Sequence, residues 1–217
     1  MKNIGSTILK MGLVLCLLAL PGASFANSFA GNLGGPAPGY DTTNGNLVGN
    51  DFAGDNLGEA ITFTAGSTAQ LNSISLALSC YLSGYCSDDL TIALTSDSSG
   101  MPGSALETFT YSSGSLGDFG DPNPLVVLDS VTNPLLTAGT HYWITITDDG
   151  NDTAVWNLNQ TGDSSATLTS LDGGATWANA GLTPGAYQVN VPEPASLSLL
   201  GSALFLGIAR KAIRRKK

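Results

Sequence analysis

Residues 141–147 read HYWITIT, and this stretch decides the fold class of the chain. Its bulky residues Tyr142, Ile144 and Ile146 alternate with Trp and Thr, so the two sets face opposite sides of an extended strand. A second stretch, SISLALS at residues 73–79, repeats the pattern, because Ile and Leu alternate there with Ser and Ala. A period of two that is rich in Thr and β-branched residues predicts antiparallel strands with one buried face.

Further short stretches of this kind lie between clusters of Gly, Asn, Asp, Ser and Pro. Short strands separated by turn residues predict an all-β domain, an antiparallel β-sandwich of jelly-roll type. The predicted strands are 60–64, 73–79, 90–95, 106–111, 125–131, 141–147, 154–158, 166–171 and 187–191. We predict no amphipathic helix between residues 27 and 191, and we expect the chain before the first predicted strand to be rich in loops.

The first 26 residues have three parts. A basic start with Lys2 and Lys10 precedes an apolar run, Met11–Leu20, and a small-residue site that ends at Ala26. This order is typical of a secretory signal peptide and predicts cleavage after Ala26. A transmembrane anchor is the alternative, but a run this short covers only about 15 Å of a roughly 30 Å hydrocarbon core. We therefore predict that residues 27–191 form one exported domain.

The last 26 residues also have three parts. The motif Pro-Glu-Pro at 192–194 precedes an apolar stretch, Ala195–Ala209, and a basic tail. Counted to Ile213, the stretch makes roughly 28 Å of helix, which is long enough to span a membrane. The residues of the motif are Pro192, Glu193 and Pro194, and those of the tail include Arg210, Arg214 and Arg215.

This end of the chain resembles the PEP-CTERM sorting signal, in which the same three parts occur in the same order. The resemblance implies processing by exosortase, a membrane-embedded, transpeptidase-like enzyme of Gram-negative bacteria. It also implies a precursor anchored in the inner membrane, which becomes a protein of the cell surface or the extracellular space. Signal peptidase and exosortase would then be its partners during processing.

Three stretches of the middle region resemble the choice-of-anchor domains of the R type, which occur in exosortase substrates. They are SDSSGMPG at 96–103, LTAGTHYWI at 136–144 and DGGATW at 172–177. Such domains are defined by travelling with different surface-anchoring signals. The resemblance implies a β-domain at the cell surface and leaves its activity open.

The charge of the chain is divided between its ends and its middle. All 8 Lys and Arg residues lie at or before Lys10 or at or after Arg210. Of the 17 acidic residues, all but Glu193 lie between Asn27 and Val191, so that region carries sixteen carboxyl groups and neither Lys nor Arg. Its fold must rest on apolar burial and hydrogen bonds, because ion pairs with Lys or Arg are impossible. Binding to nucleic acid is disfavoured, since it depends on cationic contacts to phosphate.

Cys80 and Cys86 are the cysteines that remain after signal removal. Export places them in an oxidising compartment, so we predict a disulfide between them. A metal site would require further Cys or His ligands nearby, and the sequence offers none.

Residues 170–177 fit the Asp-box pattern Ser-x-Asp-x-Gly-x-Thr-Trp. This motif is known from sialidases, where repeated copies form hairpin turns away from the active site. An Asp side chain can accept the backbone donors of the turn, Gly permits positive φ, and Trp packs beneath. We therefore predict a structural hairpin here, with no glycosidase activity implied.

Two acidic clusters have the oxygen-rich composition that Ca²⁺ prefers. Neither matches the spacing of an EF-hand loop, and a plain acidic hairpin turn is the alternative. The first candidate site comprises Asp148, Asp149, Asn151 and Asp152, and the second comprises Asp118 and Asp121.

The sequence offers little to catalysis. His141 is the single histidine, and it lies within a predicted strand with no serine-elbow motif in the chain. We therefore predict a structural or interaction component of the extracellular matrix that is not an enzyme. The alternative is a carbohydrate-binding module in which Trp143, Trp156 and Trp177 stack on sugar rings; a hydrolase ranks last. Extracellular polysaccharide is the partner that both leading hypotheses suggest.

Overall fold

A computed structural model of the chain describes residues 26–50, 54–82, 84–148 and 152–192. The predicted signal peptide up to residue 25 lies outside these residues, as do the predicted sorting helix, Glu193, Pro194, Arg210, Arg214 and Arg215. Ala26–Pro192 form one compact unit. Within the described ranges, no helix is both long enough and apolar enough to cross a membrane.

The domain is all-β, as predicted, and its strand ladders are antiparallel. One 3₁₀ turn, Ser113–Ser115, interrupts the strands. The strands are β1 Ala26–Gly31, β2 Gly45–Asn50, β3 Asn56–Thr64, β4 Ala69–Gln70, β5 Ser73–Leu76, β6 Leu78–Cys80, β7 Asp89–Asp97, β8 Pro102–Ser112, β9 Val126–Asp129, β10 Leu135–Leu136, β11 His141–Asp148, β12 Thr153–Asn157, β13 Thr167–Ser170, β14 Ala178–Asn179 and β15 Tyr187–Pro192.

Two main sheets face each other across one core. The smaller sheet has the order β1-β15-β5-β9, and the larger has the order β6-β12-β2-β3-β11-β7-β8, with β13 pairing to β3 and β14 to β13. The antiparallel sheets include a curled half-barrel, and the fold is sandwich-like. The strands β4 and β10 form a separate two-stranded ribbon.

The core lies between these sheets and follows the alternation seen in the sequence. From the larger sheet, Ile61, Ile92 and Ile144 contribute fully buried side chains. From the smaller sheet, Ile74 and Val189 meet them in the same cluster. A smaller apolar cluster, which includes Trp143 and Trp177, packs on β3 separately from this core. The alternation of residues 141–147 therefore reflects burial on both faces of β11, not on one.

All nine predicted strands are confirmed, with one revision. The predicted strand at 73–79 divides at Ala77, so β5 joins the smaller sheet and β6 the larger. The Ala77 N–H donates to the Ala186 carbonyl at 3.1 Å, while the Asn157 N–H donates to the Ala77 carbonyl at 2.9 Å. The predicted strand is therefore divided between the two sheets, and the chain passes from one to the other at Ala77.

The expectation of a loop-rich region before the first predicted strand is wrong for β1 and β2. Both lack a regular apolar period, yet β1 pairs with β15 and β2 pairs with β12. Their partners in β15 and β12 lie more than a hundred positions further along the chain, and β2 pairs in addition with the neighbouring β3. Pairing with distant strands, rather than their own pattern, makes these residues extended.

Candidate ligand-binding surface

A disulfide loop at the end of β6 carries the most exposed aromatic residues of the described chain. Cys80 and Cys86 form the predicted disulfide, with 5.9 Å between their Cα atoms. A bridge that closes so short a loop stabilises the folded state by about 2 kcal/mol through loss of chain entropy in the unfolded state. The disulfide therefore holds the two ends of the loop together.

The buried carboxyl group of Asp152 holds the far side of this loop. Its Oδ1 accepts the Ser87 N–H at 2.7 Å, and its Oδ2 accepts the Asp88 N–H at 2.7 Å. Oδ2 also accepts the hydroxyl of Ser113, in the 3₁₀ turn. Both carboxyl oxygens thus meet protein donors, as a buried carboxyl group without a cation requires.

The next residue, Thr153, holds the two tyrosines of the loop. The Tyr81 N–H donates to the Thr153 carbonyl at 3.0 Å, and the Thr153 N–H donates to the Tyr85 carbonyl at 3.2 Å. The Thr153 hydroxyl in turn donates to the Asn50 carbonyl at 2.8 Å. Because one buried residue fixes both tyrosine backbones, their spacing is set by the sheet.

Three side chains of this loop are exposed to solvent. Tyr81, Leu82 and Tyr85 are 37%, 46% and 54% exposed. The Phe119 ring stacks on the Tyr81 ring, with 6.2 Å between the ring centroids, and the Phe119 N–H donates to the Cys80 carbonyl at 2.8 Å. We call these four residues, Tyr81, Leu82, Tyr85 and Phe119, the aromatic loop surface.

Exposed carboxyl groups lie close to the aromatic loop surface along the backbone. Asp118 is exposed and forms an isolated β-bridge with Cys80, which places it beside Tyr81. Asp121 is also exposed, and its N–H donates to the Asp118 carbonyl at 3.3 Å. Asp89, three residues after Cys86 in the chain, is exposed at the start of β7. The surface therefore combines aromatic rings with negative charge.

The sequence analysis assigned ligand stacking to three tryptophans, and the structure places them differently. Trp143 is 2% exposed and donates from Nε1 to Asp97 at 2.8 Å, while Trp156 is fully buried and donates to the Ala186 carbonyl at 3.0 Å. Neither ring has a face on the surface. Trp177 is half-buried, packed against the Trp143 cluster, so stacking stays a prediction for Trp177 alone.

The first predicted calcium site is described only in part. Asp149 and Asn151 lie outside the described residues, whereas Asp148 and Asp152 are both 2% exposed. Asp148 Oδ2 accepts the Asp152 N–H at 3.2 Å, and the Asp152 carboxyl group meets the donors named above. Among the described residues, no three metal-ligating side chains of His, Cys, Asp or Glu come together. Calcium binding therefore stays a prediction, and three carboxyl oxygens of Asp148 and Asp152 already accept hydrogen bonds within the protein.

The Asp-box forms the predicted hairpin turn between β13 and β14. Asp172 Oδ1 accepts the Thr176 N–H at 2.8 Å and the Ser170 hydroxyl at 2.7 Å, and Oδ2 accepts the Thr176 hydroxyl at 2.7 Å. Gly173 and Gly174 have φ angles of 69° and 92°, which favour glycine. Hydrogen bonds from the side chains of Thr176 and Ser170 lower the pKa of Asp172 to about 2. The prediction of a structural hairpin is confirmed.

Glu59, on β3, is a functional candidate that the sequence did not reveal. Its side chain is 1% exposed, and Oε1 accepts a hydrogen bond from Asn46 Nδ2 at 2.8 Å. Oε2 has no hydrogen-bond partner among the described residues. Burial raises the pKa of this carboxyl group to about 8, against the opposing effects of hydrogen bonds from the Asn46 side chain and the Gly185 backbone. No motif marks Glu59 in the sequence, because it lies just before the predicted strand 60–64.

The remaining candidates do not form a catalytic arrangement in the described chain. His141 lies at the exposed start of β11, where its Nδ1 is 3.0 Å from the Thr64 hydroxyl oxygen. A polar cleft of about 280 Å³ lies between residues 163–167 and 179–183. Its lining includes Asp163, Asn179 and Leu182, and it does not include the aromatic loop surface.

The sequence did contain a signal for the aromatic loop surface. Two tyrosines and a leucine lie between cysteines separated by 6 positions, which forces them to the outside of a small closed loop. The contribution of Phe119 had no such signal, because it arrives from a separate turn. No protein-family profile matches the chain, and no curated protein is significantly similar to it.

Proposed function

We propose that this chain is an exported protein of a Gram-negative bacterium with a structural or interaction role at the cell surface or in the extracellular matrix. Signal peptidase removes residues 1–26, and exosortase processes an inner-membrane precursor at Pro192-Glu193-Pro194. The mature domain is a β-sandwich of jelly-roll type, and the C-terminal segment spans the membrane as a helix until processing. We propose no catalytic role.

The Cys80–Cys86 disulfide is the observation that carries this proposal. Structural disulfides form and persist outside the reducing cytoplasm, so a bridged loop favours an exported domain. The absence of Lys and Arg between Asn27 and Val191 also supports it. By the positive-inside rule, basic residues stay in the cytoplasm, so a chain that carries them only at its two ends is expected to have its middle region exported.

Mass determination of the protein from cells and from medium tests the proposal. We expect a species that begins at Asn27 and lacks Ala195–Lys217. Pro192→Ala combined with Pro194→Ala should leave an unprocessed membrane form. The matched control is Pro122→Ala with Pro124→Ala, which changes another Pro-x-Pro sequence and should leave processing unaltered. An intact C-terminal peptide in surface material, or normal processing of the first variant, would contradict the proposal.

A carbohydrate-binding module is the second candidate function. The exposed, stacked rings of Tyr81 and Phe119 favour it, since aromatic faces provide large contact area at low entropic cost. A panel of glycans tested for binding separates the two candidates. Binding to at least one glycan favours the module, whereas inertness towards all of them favours a structural role.

A further inference from the structure

We propose that the aromatic loop surface binds a polysaccharide that carries protonated amino sugars. This inference rests on the proposed function, because it assumes that the domain meets extracellular polysaccharide. It goes further by naming the surface and the chemical class of the ligand. Its residues were not among the stacking tryptophans that the sequence suggested.

The rings provide the first part of the recognition. Tyr85 is more than half exposed, and Tyr81 exposes over a third of its surface despite the Phe119 ring stacked against it. A pyranose ring presents C–H groups on its faces, and these pack on the negative face of an aromatic ring. Leu82 follows Tyr81 directly in the chain and adds a second exposed apolar side chain.

The surrounding charge selects among sugars. Asp118 and Asp121 are exposed beside the stacked rings, and the sequence from Asn27 to Val191 contains neither Lys nor Arg. An anionic polysaccharide would be repelled, and a neutral one would gain nothing from the field. A sugar with a protonated amine gains a charge-assisted hydrogen bond to a carboxylate and a cation–π contact with an adjacent ring. The field of the whole domain also attracts such a polymer at long range.

The scaffold keeps the surface in place before any ligand arrives. The disulfide closes the loop, Thr153 fixes the backbones of Tyr81 and Tyr85, and Asp152 fixes the residues after Cys86. A preorganised surface loses less conformational entropy on binding than a mobile one. These contacts therefore favour ligand binding as well as stability.

Calorimetry with the protein purified from its own host, in whatever processed form it occurs, tests the inference. The probes are β-1,4-linked glucosamine oligomers and their fully N-acetylated counterparts, at a pH where the free amines are protonated. We expect the glucosamine oligomers to bind about tenfold more tightly than the acetylated ones, with an affinity that falls as salt is added.

Variants assign the binding to this surface. Tyr81→Ala with Tyr85→Ala should weaken glucosamine binding about tenfold or more, and Asp118→Asn with Asp121→Asn should weaken its salt dependence. The matched controls, Val131→Ala and Asp129→Asn, change an exposed apolar and an exposed acidic residue elsewhere and should leave binding unchanged. Circular dichroism of each variant confirms that it folds.

Several results would overturn the inference. Equal affinity for acetylated oligomers would make the site a neutral-sugar site, and equal loss in both control variants would make the attraction a general charge effect. Tight binding of an oligolysine peptide that is insensitive to the tyrosine changes would also show that the attraction is a general charge effect. None of these results would affect the mass determination that tests export and processing, so the two proposals can be contradicted independently.

Discussion

Glu59 and Asp172 show the two opposite environments that this domain offers a carboxyl group. They lie close together in the fold, because Glu59 pairs with Thr169 on β13 and Asp172 follows that strand by two residues. Glu59 is buried with one oxygen unpaired, and burial raises its pKa to about 8. Asp172 lies at the surface, and its hydrogen bonds lower its pKa to about 2.

The difference between Glu59 and Asp172 shows how a domain without Lys or Arg determines which of its carboxyl groups are charged. Where backbone N–H and hydroxyl donors converge, the charged form is stabilised without a cation. The same solution occurs at Glu107, whose carboxyl oxygen accepts the Val131 N–H at 2.6 Å and the Thr132 N–H at 3.0 Å. Where donors are missing, as at Glu59 Oε2, the neutral form is favoured instead.

Glu59→Gln is expected to give the largest effect on this comparison. The folded protein retains the Glu59 proton up to pH about 8, whereas the unfolded chain releases it near 4.5. The free energy of unfolding should therefore fall as pH rises through this window, by up to about 1.4 kcal/mol per pH unit. Urea denaturation at several pH values should show this slope in the native chain and its loss in Glu59→Gln.

The control for this experiment is Asp129→Asn, which changes an exposed carboxyl group on β9 and should keep the slope. A native chain whose stability does not change between pH 5 and 8 would show that Glu59 finds a partner in solution. The contrast with Asp172 would then be one of exposure alone.

Asp152→Ala tests a carboxyl group that is buried like Glu59 but hydrogen-bonded like Asp172. The change leaves the N–H groups of Ser87 and Asp88 and the Ser113 hydroxyl without their acceptor. We expect a loss of about 3 kcal/mol in the free energy of unfolding, measured by urea denaturation at neutral pH. The exposed control Asp121→Ala should change stability by about 0.5 kcal/mol or less. A loss as small as the control's would mean that water replaces this carboxyl group without cost.

Cys80→Ser with Cys86→Ser tests the other fixed point of the same loop. We expect a loss of about 2 kcal/mol, because the closed loop is short. The loss should be smaller than that of Asp152→Ala, since the donors that Asp152 binds remain paired. Reduction of the native protein should give the same result, and equal stability of native and reduced forms would contradict the prediction.

The sequence predicted those features whose causes are local. Alternation marked nine stretches that are strands in the structure, and the Asp-box was visible because every hydrogen bond of Asp172 falls within four residues of it. The disulfide followed from two cysteines and the signal peptide. Each of these needs only short-range geometry, which the order of residues already contains.

The sequence did not predict features that arise from distant pairing. The donors to Asp152 lie 39 to 65 positions away, and nothing near residue 152 indicates them. In a strand pattern, a buried tryptophan cannot be distinguished from one that faces solvent. Only the packing shows that Trp143 and Trp156 are both buried. Glu59 was missed because the predicted strand began at residue 60, whereas β3 begins at Asn56 and its pairing with β13 carries it past Glu59.

Asp172→Asn is expected to have the smallest effect on stability, and that effect should appear at low pH. The folded chain keeps Asp172 charged down to pH about 2, whereas the unfolded chain binds a proton near 3.8. Stability from this group is thus fully present above pH 3.8 and is lost as pH falls towards 2. Melting temperatures between pH 5 and 2 should fall less steeply in Asp172→Asn than in the native chain, because an amide cannot titrate. Glu59 has the opposite sign, so the double variant should flatten both limbs of the pH profile, and a profile unchanged on the acid side would show that the Asp172 hydrogen bonds do not persist in solution.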